Sequence, residues 1–440
     1  MTIVDVRDAL ADRRRYESRI ERLHQRHLLT GRLHELRQDD VSLASVVLAR
    51  GRVARLLARD VAAGRYALEP GELRTIRARG KLREVYSCRL TDLLVHGVVA
   101  DVVAQALEPA LSARVFSYRP GRSWWQPVAQ FAAWLRATRR GQAPGSRGVY
   151  VLRGDVDSYT DSIPLGPGSP LWPMLTGALG PLPPLVTEVV RTTLRVPGGG
   201  LATRVRGLPM GQPIAPVIAN RYLADLDNAL DPALAAVPGG FYARYGDDFL
   251  FAHADVDAAR SAAATIDAVL RGLGLTVNAR KRRVLYLTPP GRPSGDWPEA
   301  TGAPAVAFLG MRVHAGGVVG LDPPKVRALL REVDRRTAAT VATLGRTDPD
   351  RLGRAVCAVV NRTLTPRAAL TEQRSAAALR EIVTDREQLR QLDHRIALIA
   401  ACAISGRRGP RAFRTVGYRR MRREWGLASL VATRNARGRA

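Results

Sequence analysis

Three aspartates occupy positions where unpaired carboxylates are unfavourable. Asp155 closely follows the apolar run VYVL (149–152), and Asp247 and Asp248 lie between the apolar segments 241–245 and 249–251. The apolar run predicts a buried strand, and the alternation over 241–251 predicts a β-hairpin turning at Gly246-Asp247-Asp248. If the two strands are neighbours in one sheet, Asp155 and Asp247 face each other at close range. Carboxylates so placed repel unless a cation lies between them. The chemistry indicated is a two-metal clamp. Hard carboxylate oxygens hold Mg²⁺, substrate phosphates complete its shell, and the ions activate the attacking oxygen and neutralise the leaving one. A lone Gly-Asp-Asp is also an ordinary turn former. No DxDxDG run ending in Glu marks a calcium loop. The second acidic site, after a strand about ninety residues earlier, favours the catalytic reading.

The elements that must position these acids follow from periodicity and breakers. Residues 1–63 predict helices, with Ile20, Leu23, His27, Leu28, Val46, Val47, Ala49, Leu56 and Leu57 at helical spacing among arginines; GRYALEPGE (64–72) then breaks the pattern. A hairpin around Gly80-Lys81 is predicted over 73–86. Helices follow at 91–107 and around Phe131, Trp134 and Leu135, and residues 141–148 form a loop. Beyond the Pro/Gly-rich stretch 164–184 come helices at 215–230 and 255–270 and strands at 275–287 and 305–313. Helices near 325–343, 349–361, 371–387 and 389–404 precede a tail with eleven arginines from Arg407 to Arg439 against one acid, Glu424.

A net charge of +28 on a chain that is 46% hydrophobic describes a packed protein with polyanionic partners, nucleic acid first and an anionic membrane surface second. Lys81, Lys281 and Lys325 are the only lysines, so arginine, whose fork suits phosphate, carries the charge. Cys88, Cys357 and Cys402 form no CxxC pair, which excludes a zinc knuckle or a disulfide scaffold. The early charged residues argue against a signal peptide. The longest clean apolar run, Ile396–Ile404, is half of a membrane span. A soluble, cytoplasmic protein with no membrane partner is expected.

Beyond these readings, the chain resembles a reverse transcriptase of the bacterial type, the broad group of group II intron-encoded, retron and defence-associated enzymes. RGDVDSYTDSI (153–163) resembles the first catalytic motif, GLPMGQPIAPVIANRYLADLD (207–227) the second and YGDD (245–248) the third. GLTVNARKRR (274–283) and FLGMRV (308–313) resemble the motifs that follow, and REVYSCRLTDLL and VFSYRPGRS the two fingers motifs upstream. The set spans roughly residues 80–315 in the family's order.

The resemblance implies an α+β right-hand polymerase with fingers, an RRM-like palm with an antiparallel sheet, and a helical thumb. Its parts would be a basic N-terminal extension at 1–70, fingers at 71–148, palm at 149–318, and thumb with an Arg-rich C-terminal element at 319–440. It implies that Asp155, Asp247 and Asp248, with the Val156 carbonyl, hold Mg²⁺ or Mn²⁺, and that Arg83 and Lys81 contact the incoming dNTP. Gly207 to Gln212, with Gly211, would form the turn beneath the nucleotide, and Lys281 would serve the leaving pyrophosphate. Arg119 and Arg122 would grip the template or primer backbone. Expected partners are an RNA template, a cognate noncoding RNA and a DNA primer or product, with assembly on RNA left open.

Two departures stand out. The family's aromatic gate falls at Thr160, with Tyr159 one residue early, which on a strand reverses the face. Met210 replaces the usual Gln. Template-independent or protein-primed synthesis, an RNA product, and a non-catalytic RNA-binding role are the alternatives.

Overall fold

The Asp5 side chain accepts from the Arg7 and Asp8 amides and starts the helix Val6–Ala11. In the next helix, Arg13–Thr30, Tyr16, Ile20 and Leu23 recur on one face and are buried. That helix packs on Arg50–Ala62, which buries Ala54, Leu57 and Ala58. Leu28 and Leu56, expected within the apolar stripe, are exposed. These are features of a computed structural model describing residues 5–30, 37–38, 41–78, 81–141, 148–196, 198–236, 239–294, 296–364 and 381–432. The chain forms two units, Met1–Ser123 with Tyr150–Val284 and Trp124–Val149 with Leu285–Ala440.

In the first unit the strands Glu72–Ala78 and Lys81–Ser87 pair as the expected hairpin. The helix Leu90–Leu107 is apolar all round, and Leu94, Val95, Val98, Val99, Val102 and Val103 are fully buried, the mark of a core helix. Among the described residues, Leu90–Ala110 is the one helical segment long and apolar enough to cross a membrane, and most of it is buried inside the protein. The strand Asp248–His253 pairs antiparallel with both Val149–Asp155 and Phe241–Tyr245. All three are buried on both faces except near the acidic end. The helix Val256–Gly272, capped by Asp255 accepting from the Ala258 amide at 2.8 Å, covers this sheet.

Three expectations are corrected here. The helix foreseen over 215–230 is broken at Leu223 into Ala215–Tyr222 and Ala224–Ala229, so that Asn220 before the break and Asp227 after it both reach Arg244. The strand foreseen over 275–287 is regular only at Arg283–Leu287; Val277 instead bridges Val156, and the chain turns at Asn278. Residues 159–162 form a helical turn after Ser158 (φ 43°), so strand-face logic does not apply to Tyr159 and Thr160.

In the second unit, residues 285–287 of the strand Arg283–Leu287 pair parallel with Thr301–Ala303, and Ala305–Phe308, Met311–His314 and Val319–Leu321 form an antiparallel meander. The helices Pro323–Leu344, Pro349–Leu364 and Arg386–Ser405 pack together, and the Gln388 amide clamps the Leu321 backbone at 2.6 and 2.9 Å. The foreseen helix at 371–387 falls largely outside the described residues. The architecture is mixed α and β, a palm-like sheet with flanking helices, as expected.

Candidate active site

Asp155 ends its strand directly opposite Asp248, while Asp247 sits in the hairpin turn and its carbonyl accepts from the Val156 amide at 3.3 Å. The register therefore sets Asp155 against Asp248 rather than Asp247, because the turn contains only Gly246 and Asp247. All three carboxylates still share one region, since Asp247 feels the charge of Asp155 and of Asp248, and Asp248 feels that of Asp155.

Two cations answer two of these acids. Lys281 Nζ lies 2.8 Å from both oxygens of Asp155, delivered by the turn whose Asn278 amide donates to the Asp155 carbonyl at 2.8 Å. Arg153, on the same strand face as Asp155, reaches Asp248 at 3.3 Å. Among the described residues Asp247 forms no ion pair. Burial first, then the charge of Asp155, pushes its pKa up to about 6. Burial also raises that of Asp248, against the pull of Arg153, and the bond to Asp155 raises that of Lys281.

The turn is held from beneath by groups the sequence reading did not single out. Ser117 Oγ accepts from the Gly246 amide at 2.8 Å and donates to Asn220 Oδ1 at 2.8 Å. Arg244 Nη1 donates to the Gly246 carbonyl at 2.9 Å. Its Nε and Nη2 grip Asp227 at 2.8 and 2.7 Å, both side chains being 0% exposed, and the Tyr242 hydroxyl joins at 2.9 Å. Burial opposes the charge on Arg244, but Asp227 more than offsets it. An arginine inside FYARY demands a buried counter-charge, and this was the available signal.

The loop 207–212 is stitched to its neighbours through backbone bonds. The Gly207 and Leu208 amides donate to the Ile163 and Thr160 carbonyls at 2.8 Å each, and the Tyr86 amide donates to the Met210 carbonyl at 2.7 Å. Thr160 is exposed, whereas Tyr159 is buried with its hydroxyl on the Ala219 carbonyl. The buried Gln212 amide donates to the Val189 carbonyl at 2.5 Å and to Thr192 Oγ1 at 2.7 Å. Arg83 is half-buried opposite Ile76; the Lys81 side chain lies outside the described residues. Arg119, foreseen on nucleic acid, is instead bound to Glu108 at 2.6 Å and to two backbone carbonyls, with 6% of its side chain exposed. Arg122 lies 5.3 Å from the Phe116 ring centroid.

Gly211 adopts φ 90°, and a Cβ there would meet Val85 Cγ1 at 2.7 Å. Gly211→Val is expected to destabilise the chain by roughly 1–3 kcal/mol through strain and to part the loop from the hairpin; urea unfolding measures this.

Among the described residues no group of three His, Cys, Asp or Glu stands together in metal-holding geometry. The donor chemistry nevertheless suits a hard divalent ion: among the described residues Asp247 has no ion-pair partner, the charge of Lys281 only partly opposing its burial, and Lys281 covers Asp155 from a 57% exposed position. A pH dependence follows. The folded chain holds the Asp247 proton more tightly than the unfolded chain, so this group's stabilisation is full below about pH 4 and lost as pH rises through about 6. In metal-free buffer the native Tm is expected to fall relative to Asp247→Asn across that window. If Asp247 holds Mg²⁺ it would do so as the ionised carboxylate, and Mg²⁺ should then raise Tm at about pH 8 far more than at about pH 5. Equal Mg²⁺ effects at both values would remove Asp247 from the metal site.

The family model described as "Reverse transcriptase (RNA-dependent DNA polymerase)" matches residues 79–313, more than half of the chain. No curated protein matches. Among solved structures, telomerase from Candida albicans in complex with a TWJ fragment of telomeric RNA is similar at 14% identity and TM-score 0.43, covering 78% of this chain and 61% of that one. Apo telomerase from Candida tropicalis is similar at 13% identity and TM-score 0.47, covering 84% and 63%. This chain spans about three fifths of the length of these two structures.

Proposed function

The chain belongs to the reverse transcriptase (RNA-dependent DNA polymerase) family, and on that premise we propose that it extends a primer 3′-hydroxyl with dNTPs on an RNA template. The observation that carries this reading is the meeting of Asp155, Asp247 and Asp248 at one end of the sheet, with Lys281 on Asp155. Asp155 and Asp247, aided by Asp248 and the Val156 carbonyl, are the residues that would hold Mg²⁺ or Mn²⁺. When bound, the ions lower the pKa of the attacking hydroxyl and neutralise charge on the leaving pyrophosphate.

The chain's own groups do the rest. Arg83, for which the described residues show no ion pair, forks onto the triphosphate beside Lys81. Gly211 lets the loop backbone approach the nucleotide, and Gln212 braces that loop from within. Lys281 gives up its hold on Asp155 and supplies a proton or positive charge to the pyrophosphate. Fingers at 71–148, palm at 149–318 and thumb at 319–440, after the N-terminal extension at 1–70, are the parts this reading assigns. We place the activity in a bacterial retroelement-derived or phage-defence system with its own noncoding RNA.

One observation favours a second outcome. With Tyr159 tied to Ala219 and Thr160 exposed, no aromatic ring stands at the position the family uses against a ribose 2′-hydroxyl. Ribonucleotides then enter as well.

The test is Mg²⁺-dependent extension of primed RNA and primed DNA, with dNTPs and NTPs supplied separately, beside Asp247→Ala. DNA made on RNA and absent in the variant supports the proposal. NTP incorporation assigns the relaxed gate to Thr160. A homopolymer made without template, or no product with copurified RNA restored, overturns templated synthesis.

A further inference from the structure

Within the C-terminal unit a cavity of about 530 Å³ is lined by Arg390, Asp393, His394, Phe413, Tyr418 and Val431. Its walls are largely aromatic. The His394 and Phe413 rings lie 5.7 Å apart, tilted by 40°. Tyr418 is 39% exposed, and Arg422 stands 5.9 Å from its ring centroid. Asp393, the one acid of the wall, is already committed: it accepts from Ser429 Oγ at 2.7 Å and from the Leu430 and Val431 amides at 2.8 and 3.3 Å.

Arg390 lines the cavity, and the chain segment that supplies Phe413 and Tyr418 is cationic, with Arg414 and Arg419 next to them in sequence. Arg407, Arg408, Arg411, Arg414, Arg419 and Arg423 are all exposed, and Glu424, the single acid of residues 406–432, is paired with Arg420 at 3.2 Å. Aromatic faces on an arginine-rich segment fit a strand whose bases are free to stack and whose phosphates need counter-charge. A duplex hides its base faces and cannot enter. The Tyr418 hydroxyl and the His394 imidazole offer a 2′-hydroxyl hydrogen-bond partners that go unused with DNA.

We propose that this cavity stacks an unpaired nucleobase of single-stranded RNA, with the flanking phosphates on arginines of this segment. The proposal stands on the C-terminal unit alone and does not rest on the polymerase reading. It adds a recognition site for RNA, built from residues other than the acids described above.

The experiment uses the full chain and a short single-stranded RNA carrying one 2-aminopurine, whose fluorescence is quenched on stacking. Quenching at saturation is expected with this RNA, absent with the same sequence in a duplex, and weaker with single-stranded DNA. Tyr418→Ala should lose the quench and weaken binding about tenfold, while Tyr418→Phe keeps the quench. Because a chain with net charge +28 attracts RNA at other arginines too, the quench decides rather than affinity alone. Phe413→Leu gives a second variant should Tyr418→Ala fold poorly. An undiminished quench in both variants, or equal quench by the duplex, overturns the site. Equal quench by single-stranded DNA overturns its assignment to RNA.

Discussion

Asp155→Asn is expected to lower primer extension by at least about 10³-fold, the scale of several kcal/mol of lost transition-state charge stabilisation, while leaving Tm close to that of the native chain. The two halves of this result have different causes. On the proposed reading Asp155 supplies charge to the metal, and its side chain is only 15% exposed, so bulk water is a poor substitute. Its structural partner is Lys281, which is 57% exposed and returns to solvent without penalty. The substitution also removes one cause of the raised Asp247 pKa, so Asp247 should ionise at lower pH in the variant. Single-turnover extension beside thermal melting checks both halves. A variant retaining a tenth or so of the native rate would exclude Asp155 from the metal site. Equal loss of Tm and activity would make it a structural residue instead.

Arg244→Met should be the most destabilising single change at the site, by about 3–5 kcal/mol, because it leaves the buried Asp227 carboxylate without its counter-charge, held by the Tyr242 hydroxyl only. Both side chains are fully buried, and no water can replace the guanidinium. A Tm drop on the order of 10 °C is the corresponding signal. The pair also positions the turn, through Arg244 Nη1 on the Gly246 carbonyl. The double variant Arg244→Met/Asp227→Leu separates the two roles. Replacing a buried pair by apolar groups recovers much of the stability, yet no donor remains for Gly246, so extension should stay low. Recovery of both would reduce Arg244 to a packing residue. A native Tm in the single variant would contradict the buried pair itself.

The acidic turn was legible because its signal is local. Apolar alternation on both sides of Gly246-Asp247-Asp248 predicts a hairpin, and the hairpin forms as Phe241–Tyr245 and Asp248–His253. The same holds for the helices at Arg13–Thr30 and Leu90–Leu107 and for the hairpin at 72–87, whose signals are likewise local: apolar spacing in the first, an unbroken apolar run in the second and the Gly80-Lys81 turn in the third. Periodicity failed where a distant partner overrides it. The expected strand over 275–287 gives way to a turn, because Val277 pairs with Val156 and Lys281 reaches Asp155. The expected helix over 215–230 breaks so that Asn220 and Asp227 can both meet Arg244.

By itself the sequence determined most of the elements, the placing of each acid at an element's end, and the polyanion-seeking charge, since these depend on composition and on neighbours a few residues away. Tertiary structure alone decided the rest: Asp248 rather than Asp247 opposite Asp155, Arg119 bound to Glu108 instead of left for nucleic acid, and Tyr159 turned inward. Each of these is settled by which groups burial forces together across long stretches of chain. A buried charge or hydroxyl must find its partner wherever the fold presents one, and no local spacing records where that is.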